Sequence, residues 1–123
     1  MELKLFDGDY AVCSLNKAID SPICVDTKNF YYITKFQDEL SLICLDEGIP
    51  KEAKIDNDWK IIKVLEPITL YLVGIISRIN KVLEDAKINI FEVSTCDSDY
   101  ILIKNKDIEH ACSVLRYNGY QIV

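Results

Sequence analysis

The amino-acid sequence predicts an α+β protein that combines antiparallel strands with two helices. Short runs of β-branched and aromatic residues, several of them alternating with polar residues, recur along the chain. Residues 72–86 and 108–115 instead place their apolar side chains three or four positions apart, which is the helical spacing. Over residues 59–123 the predicted order is β-α-β-β-α-β. We therefore expect both of these helices on one face of a sheet.

The stretch from residue 89 to residue 104 carries the clearest local prediction. Two β-rich runs, 90–96 and 100–104, flank the polar segment Asp97-Ser98-Asp99, which indicates a hairpin. The segment lacks the Asn-Gly or Asp-Gly of a tight two-residue turn, so the turn type stays open. Polar side chains crowd the end of this hairpin beside very apolar strands, and we expect a ligand there; they are Ser94, Thr95, Asp97, Ser98 and Asp99.

The other elements follow from the same patterns. A turn at Asp7-Gly8-Asp9 between two β-rich runs predicts an opening hairpin, and Gln37-Asp38-Glu39 predicts a second. Asp107 should cap the second helix and Gly119 should end it. The remaining predictions are strands at 3–6, 10–15, 30–36, 40–45, 59–66 and 120–123, about one helical turn at 16–22, and a loop or ragged helical turn at 46–58.

Composition restricts the class of protein. The 123 residues suffice for one domain, and 50% of them are hydrophobic, so the chain should be globular. The net charge is −6 and no run of five basic residues occurs, which argues against nucleic acid and anionic membranes as partners. No apolar run is long enough to span a bilayer, and the N-terminus does not resemble a signal peptide. We therefore expect a cytoplasmic protein.

Metal, cofactor and catalytic chemistry find little support. The five cysteines form no CxxC pair, and we expect reduced, structural thiols in place of disulfides or metal ligands. His110 is the single histidine, so a histidine-based metal site is not expected. Cys112 and His110 lie two positions apart on a predicted helix and point in different directions, so they cannot form a nucleophile–base pair. We expect no cofactor and no enzyme activity.

The first half of the chain echoes the second at an offset of 60 residues. At this offset residues 33–43 align with 93–103, residues 3–6 with 63–66, and residues 10–15 with 70–75. Identity between the aligned segments is low, and two unrelated hairpins are the alternative explanation. The shared offset favours two related β-rich units, 1–58 and 59–123, the first having lost most of its helix.

The C-terminal unit resembles an ACT domain. The resemblance rests on Leu72-Val73-Gly74-Ile75-Ile76, which opens the first helix, and on residues 90–104, which are similar to the hairpin of small bacterial tandem-ACT proteins. Residues 33–44 also look like the upstream element of that family. The resemblance implies a ferredoxin-like βαββαβ fold in two tandem units, the first degenerate. The arginine sensors of the eukaryotic cytosol contain units of the same type.

Two positions depart from the family pattern. Relatives usually leave the first helix through Ala-Gly-Ile, whereas this chain has Ala86-Lys87-Ile88. A left-handed Lys87 would cost about 1 kcal/mol relative to glycine. Relatives often carry Tyr or Phe where Cys96 stands, which makes the ligand harder to infer.

The resemblance implies regulatory binding of a small amino acid between two ACT units. The ligand would lie against the loop that enters the first helix, residues 67–74, and against the hairpin end. Backbone N–H groups near Gly74 suit a carboxylate, and Asp99 suits an ammonium or guanidinium group. The alternative interpretation, which has more weight for Asp97 than for Asp99, is that these residues only shape the turn. The predicted ligand-binding residues are Thr69, Val73, Gly74, Ile75, Ser94, Thr95 and Asp99.

The alternative is a module that binds no ligand and pairs with another chain through sheet edges or helices. Partners of either kind include a second copy of the chain, joined through ACT units, or a regulated protein. Acyl-phosphate hydrolysis occurs on the same fold type, but Arg78 and Arg116 lie on predicted helices and not in a glycine-rich loop. The sequence therefore favours a sensor over an enzyme.

Overall fold

The computed structural model describes residues 2–16, 30–36, 39–45, 54–65, 74–95 and 98–123. The helical turn predicted at 16–22 lies outside these residues except for Asn16, which is the last residue of a strand, and so does most of the loop predicted at 46–58. Neither described helix is long and apolar enough to cross a membrane. In chain order the elements are β1 (Glu2–Leu5), β2 (Tyr10–Asn16), β3 (Tyr32–Phe36), β4 (Glu39–Leu45), β5 (Lys54–Val64), α1 (Ile75–Asp85), β6 (Ile90–Ser94), β7 (Asp99–Lys104), α2 (Ile108–Tyr117) and β8 (Gln121–Ile122).

The chain forms two compact units. The C-terminal unit comprises Met1–Asp7 and Lys60–Val123, and the inserted unit comprises Gly8–Trp59. Strand β5 contributes its first half to the inserted unit and its second half to the C-terminal unit. Strand β1 belongs to the C-terminal unit although it opens the chain. The division into tandem ACT-like units 1–58 and 59–123 stays a prediction.

The sheet of the C-terminal unit takes its fifth strand from the start of the chain. Strand β7 pairs with β6 and β5, β5 pairs with β1, and β1 pairs with β8. Leu3 lies opposite Val64 in the antiparallel β1–β5 pair and opposite Ile122 in the parallel β1–β8 pair. The predicted opening hairpin of β1 with β2 is therefore wrong. The turn at Asp7-Gly8-Asp9 leads the chain into the inserted unit, because burial of Leu3 holds β1 between β5 and β8.

Both helices pack on one face of this sheet, as predicted. Ile79 and Leu83 of α1 are fully buried, and so is Leu115 of α2. They share one apolar core with residues of the sheet. Ile101 and Ile103 of β7 both belong to it, because strand residues two positions apart point to the same face. The buried members of this core are Leu3, Ile62, Val64, Ile79, Leu83, Ile88, Ile101, Ile103, Ile108, Ala111, Cys112 and Leu115.

The two helices end in the same way but on different residues. At the end of α1, Lys87 adopts a left-handed φ of 61°, its N–H bonds to Glu84 O at 2.9 Å, and the Ile88 N–H bonds to Leu83 O at 3.0 Å. At the end of α2, Gly119 adopts a φ of 93°. Its N–H bonds to Arg116 O at 3.0 Å, and the Tyr120 N–H bonds to Leu115 O at 3.1 Å. Both arrangements are Schellman caps. The predicted glycine stop at Gly119 is thus confirmed, and Lys87 adopts the left-handed conformation at the position where relatives usually have glycine.

The start of α2 differs from its prediction in one respect. Asp107 occupies the N-cap position, but its side chain makes no capping hydrogen bond. A 3-10 turn, Asn105–Asp107, runs directly into the helix and gives Asp107 a φ of −106° and a ψ of −6°. Capping side chains usually require the extended backbone that this turn removes.

The described strands of the inserted unit lie in the order β3-β4-β2-β5. The predicted hairpin of β3 with β4 is confirmed, with Phe36 opposite Glu39. The predicted loop is wrong over residues 54–58, because β5 begins at Lys54 and its first three residues, Lys54, Ile55 and Asp56, pair with β2. A register shift between Tyr10 and Val12 accompanies the left-handed φ of 68° at Asp58, which marks an irregularity in this polar stretch.

Three of the five cysteines lie within the described residues. Cys13, Cys44 and Cys112 are buried and form no disulfide, which agrees with the prediction of structural thiols. Burial raises the pKa of the Cys112 thiol, and the nearby Arg116 opposes that shift. Cys24 and Cys96 lie outside the described residues.

Candidate functional site

The end of the β6–β7 hairpin brings together three of the predicted site residues. Ser94 and Asp99 are the last directly opposed pair of the two strands. The Ser94 hydroxyl donates a hydrogen bond to Asp99 Oδ1 at 2.5 Å. Beyond them the Thr95 N–H bonds to Ser98 O at 2.8 Å and closes the turn. Ser94 and Thr95 are exposed and Asp99 is half-buried, so the hairpin end presents polar atoms to solvent.

Two residues that the sequence did not single out extend this cluster. Asn80 on α1 donates from Nδ2 to Glu92 Oε2 at 2.9 Å. Glu92 Oε1 lies 3.4 Å from the Ser94 hydroxyl oxygen. We call Asn80, Glu92, Ser94 and Asp99 the hairpin-end cluster. Strand alternation offered a clue to Glu92, since residues 92 and 94 of one strand must share a face.

The hairpin-end cluster is rich in acceptors and carries two negative charges. The Ser94 hydroxyl has one proton, so it can serve only one of the two carboxylates at a time, and the shorter contact is to Asp99. Asn80 Oδ1 is buried and has no hydrogen-bond partner. Within the described ranges, no lysine or arginine pairs with Glu92 or Asp99, and the Lys81 ammonium contacts Asp85 at 2.9 Å. This surface is suited to a group that brings N–H donors and positive charge.

Helix α1 begins at Gly74, which adopts a left-handed φ of 91°. A Cβ built at Gly74 meets no atom of the described part of the chain within 4 Å, so these residues leave the backbone open to close approach. The first turn has no side-chain cap and no acidic residue. The first N–H groups of a helix lack intrahelical acceptors, and they attract anions.

The start of α1 and the hairpin-end cluster lie toward the same end of the C-terminal unit. Helix α1 returns into β6 through residues 86–89, so the helix and the strand run in opposite directions. The Asn80–Glu92 hydrogen bond fixes their relative position. Gly74 lies six residues before Asn80, about 9 Å along the helix axis. Ser94 lies two residues after Glu92, about 7 Å along the strand. Because the helix and the strand are antiparallel, both displacements point in the same direction.

The other predicted site residues have different outcomes. The Ile75 side chain packs against the core, so only its backbone N–H can serve a ligand. Thr69 and Val73 lie outside the described residues, and so do Cys96 and Asp97.

Comparison with known proteins identifies the family. A family model described as the ACT domain matches residues 54–117, and a second model, described as an N-terminal domain, matches residues 8–52. No curated protein matches the chain. The crystal structure of protein Atu0741 from Agrobacterium tumefaciens is similar, with 31% identity and a TM-score of 0.89 over 99% of this chain and 91% of that one.

Two aspartate kinase structures share the fold. Aspartokinase III of Escherichia coli, solved with aspartate and ADP, has 14% identity and a TM-score of 0.69 over 95% of this chain and 33% of that one. The ligand-free regulatory subunit of aspartate kinase from Thermus thermophilus has 13% identity and a TM-score of 0.64 over 95% of this chain and 97% of that one. These identities support a likeness of fold alone. From the family match over more than half of its length, the chain belongs to the ACT domain family.

Proposed function

We propose that this protein is a regulatory sensor whose C-terminal unit binds a small amino acid at the hairpin-end cluster. The observation that carries the proposal is the cluster itself. Two carboxylates, Glu92 and Asp99, meet at one serine hydroxyl, and no basic residue of the described ranges pairs with either of them. An amino acid supplies the ammonium group that such a surface lacks.

The carboxylate of the ligand is assigned to the start of α1. The free N–H groups of the first turn and the partial positive charge of a helix N-terminus favour an anion there. Gly74 leaves room for the ligand because it has no Cβ. In this proposal the carboxylate of the ligand faces the N–H groups near Gly74, and its amino group or a side-chain cation faces Asp99.

Support for a regulatory role comes from the family and from the chemistry of the chain. The similar Thermus thermophilus protein is a regulatory subunit of aspartate kinase. The hairpin-end cluster contains no histidine or cysteine, and its two carboxylates and one amide oxygen are acceptors suited to binding a cation. A pure interaction module is the competing proposal, and the open edge of β6 favours it, because this strand pairs only with β7 in the described sheet. Binding against a second ACT unit stays a prediction.

A thermal-shift screen of the full chain against the twenty amino acids tests the proposal. A ligand at 100 times its dissociation constant adds about 2.7 kcal/mol of stability, which raises the melting temperature by several degrees. The Asp99→Asn variant should lose most of that shift, because it keeps an oxygen acceptor for Ser94 and removes only the charge. Glu109→Gln, an exposed position on α2, is the matched control and should retain the shift. The absence of a shift with any amino acid would favour the interaction module.

A further inference from the structure

The inserted unit contains a cavity that lies apart from the hairpin-end cluster. Its volume is about 270 Å³, roughly nine times the volume of one water in the liquid. All of its lining residues belong to β2, β4 and β5 within the inserted unit. The lining consists of Val12, Cys13, Ser14, Ser41, Lys54, Ile55 and Asp56.

Strand register places three hydrogen-bond donors side by side in this lining. Ser14 of β2 lies directly opposite Ser41 of β4 on one side and directly opposite Lys54 of β5 on the other. Directly opposed residues point to the same face, with Cβ atoms about 5 Å apart. Cys13 and Leu42 alternate with Ser14 and Ser41 along their strands, so they point to the other face, where they belong to the core of this unit. Two hydroxyls and one ammonium group thus share the face opposite this core.

The charges of the lining select one kind of ligand. Lys54 is exposed and makes no ion pair within the residues that the structure describes. A carboxylate above Ser14 can reach its hydroxyl and the Lys54 ammonium together, and such charge-assisted hydrogen bonds are the stronger kind. The lining therefore favours a carboxylate.

We propose that this cavity is a binding site for the carboxylate of a small molecule with a short apolar body. Ser14, Ser41 and Lys54 bind the carboxylate, and Val12, which lies on the same face, contacts the apolar body. Short fatty acids and small apolar amino acids share this chemistry. Because the site is open and its polar groups are largely exposed, we expect weak binding, with a dissociation constant on the order of 1 mM. The site is independent of the function proposed above.

Amide chemical shifts of the isotope-labelled full chain test the site, with sodium propionate as the probe and sodium chloride as the ionic-strength control. Propionate should give saturable shifts at residues 12–14, 41 and 54–56. Lys54→Met keeps the aliphatic stem and should weaken binding about tenfold, and Ser14→Ala should weaken it several-fold. Lys106→Met makes the same charge change on an exposed residue of the C-terminal unit and should have no effect. The unshifted amides of each variant report whether its fold is intact.

Titration with L-alanine distinguishes the two candidate classes of ligand, short fatty acids and small apolar amino acids. Tighter binding of alanine than of propionate supports an amino acid ligand, and the reverse supports a fatty acid. Shifts that sodium chloride reproduces, or an affinity for propionate that Lys54→Met leaves unchanged, would overturn the proposal. Because residues 94–99 report on the hairpin-end cluster separately, failure of one site is distinguishable from failure of the other.

Discussion

Replacement of Lys87 by glycine should stabilise the protein. Lys87 ends α1 with a φ of 61°, and its N–H group forms one of the two hydrogen bonds of the cap. An L-residue in this conformation costs about 1–2 kcal/mol, because its Cβ crowds the following carbonyl oxygen. Glycine avoids that cost, but its greater conformational entropy in the unfolded chain destabilises the folded state by about 0.4–1 kcal/mol. The net gain for Lys87→Gly should be about 0.5–1 kcal/mol.

Urea unfolding followed by far-UV circular dichroism measures this gain. The urea concentration at the midpoint of unfolding should rise, while the slope of the unfolding free energy against urea concentration should stay constant. The melting temperature should rise by about 2–5 °C. Lys87→Ala is the matched control, because it removes the same exposed side chain but keeps the Cβ, and it should not stabilise. Gly119→Ala makes the opposite change at the equivalent cap of α2, where φ is 93°, and should destabilise by a similar amount. Equal stabilisation by Lys87→Gly and Lys87→Ala would refute the argument, since it would assign the effect to the side chain beyond Cβ.

Three further predictions follow from other positions. Gly74→Val should cost at least 1–2 kcal/mol in urea unfolding, because valine is strained at a φ of 91° although the space beside it is open, and an unchanged midpoint would contradict the left-handed cap. Glu92→Gln should weaken binding of an amino acid less than Asp99→Asn does, as measured by calorimetry, because Glu92 makes the longer contact to Ser94; the reverse order would place the ammonium group at Glu92. Native labelling of Cys112 with a thiol reagent should be slow at pH 8 and accelerate only at higher pH, because burial raises its pKa and only the thiolate reacts; rapid labelling at pH 8 would contradict this burial.

The elements that could be predicted from the sequence are those whose periodicity is local. The hairpin of β6 with β7 follows from two β-rich runs around a polar turn, and α1 follows from apolar residues at helical spacing. The left-handed Lys87 could be anticipated only because the resemblance supplied a glycine for comparison.

Long-range pairing could not be predicted in the same way. The turn at Asp7-Gly8-Asp9 favours a local hairpin, but β1 pairs with β5 and β8, which lie more than fifty residues away in sequence. The polar residues at the start of β5 show no strand pattern, and pairing with β2 makes them a strand. Strand preference depends on neighbours more than on the residue itself.

The candidate site was predictable only in part for the same reason. Ser94 and Asp99 are close in sequence, so a hairpin brings them together. Asn80 and Glu92 belong to different elements, and their hydrogen bond depends on how α1 packs against β6. Periodicity places Asn80 on the polar face of its helix but does not identify its partner.

Isothermal titration calorimetry of the best-binding amino acid into the wild-type protein and Asp99→Asn tests the central claim most directly. Loss of a hydrogen bond to a charged group costs roughly 1.5–3 kcal/mol, so the variant should bind about tenfold to a hundredfold more weakly. Glu109→Gln should bind as the wild type does. Equal affinity of Asp99→Asn and the wild type would contradict the assignment of the ligand's ammonium group to the hairpin-end cluster.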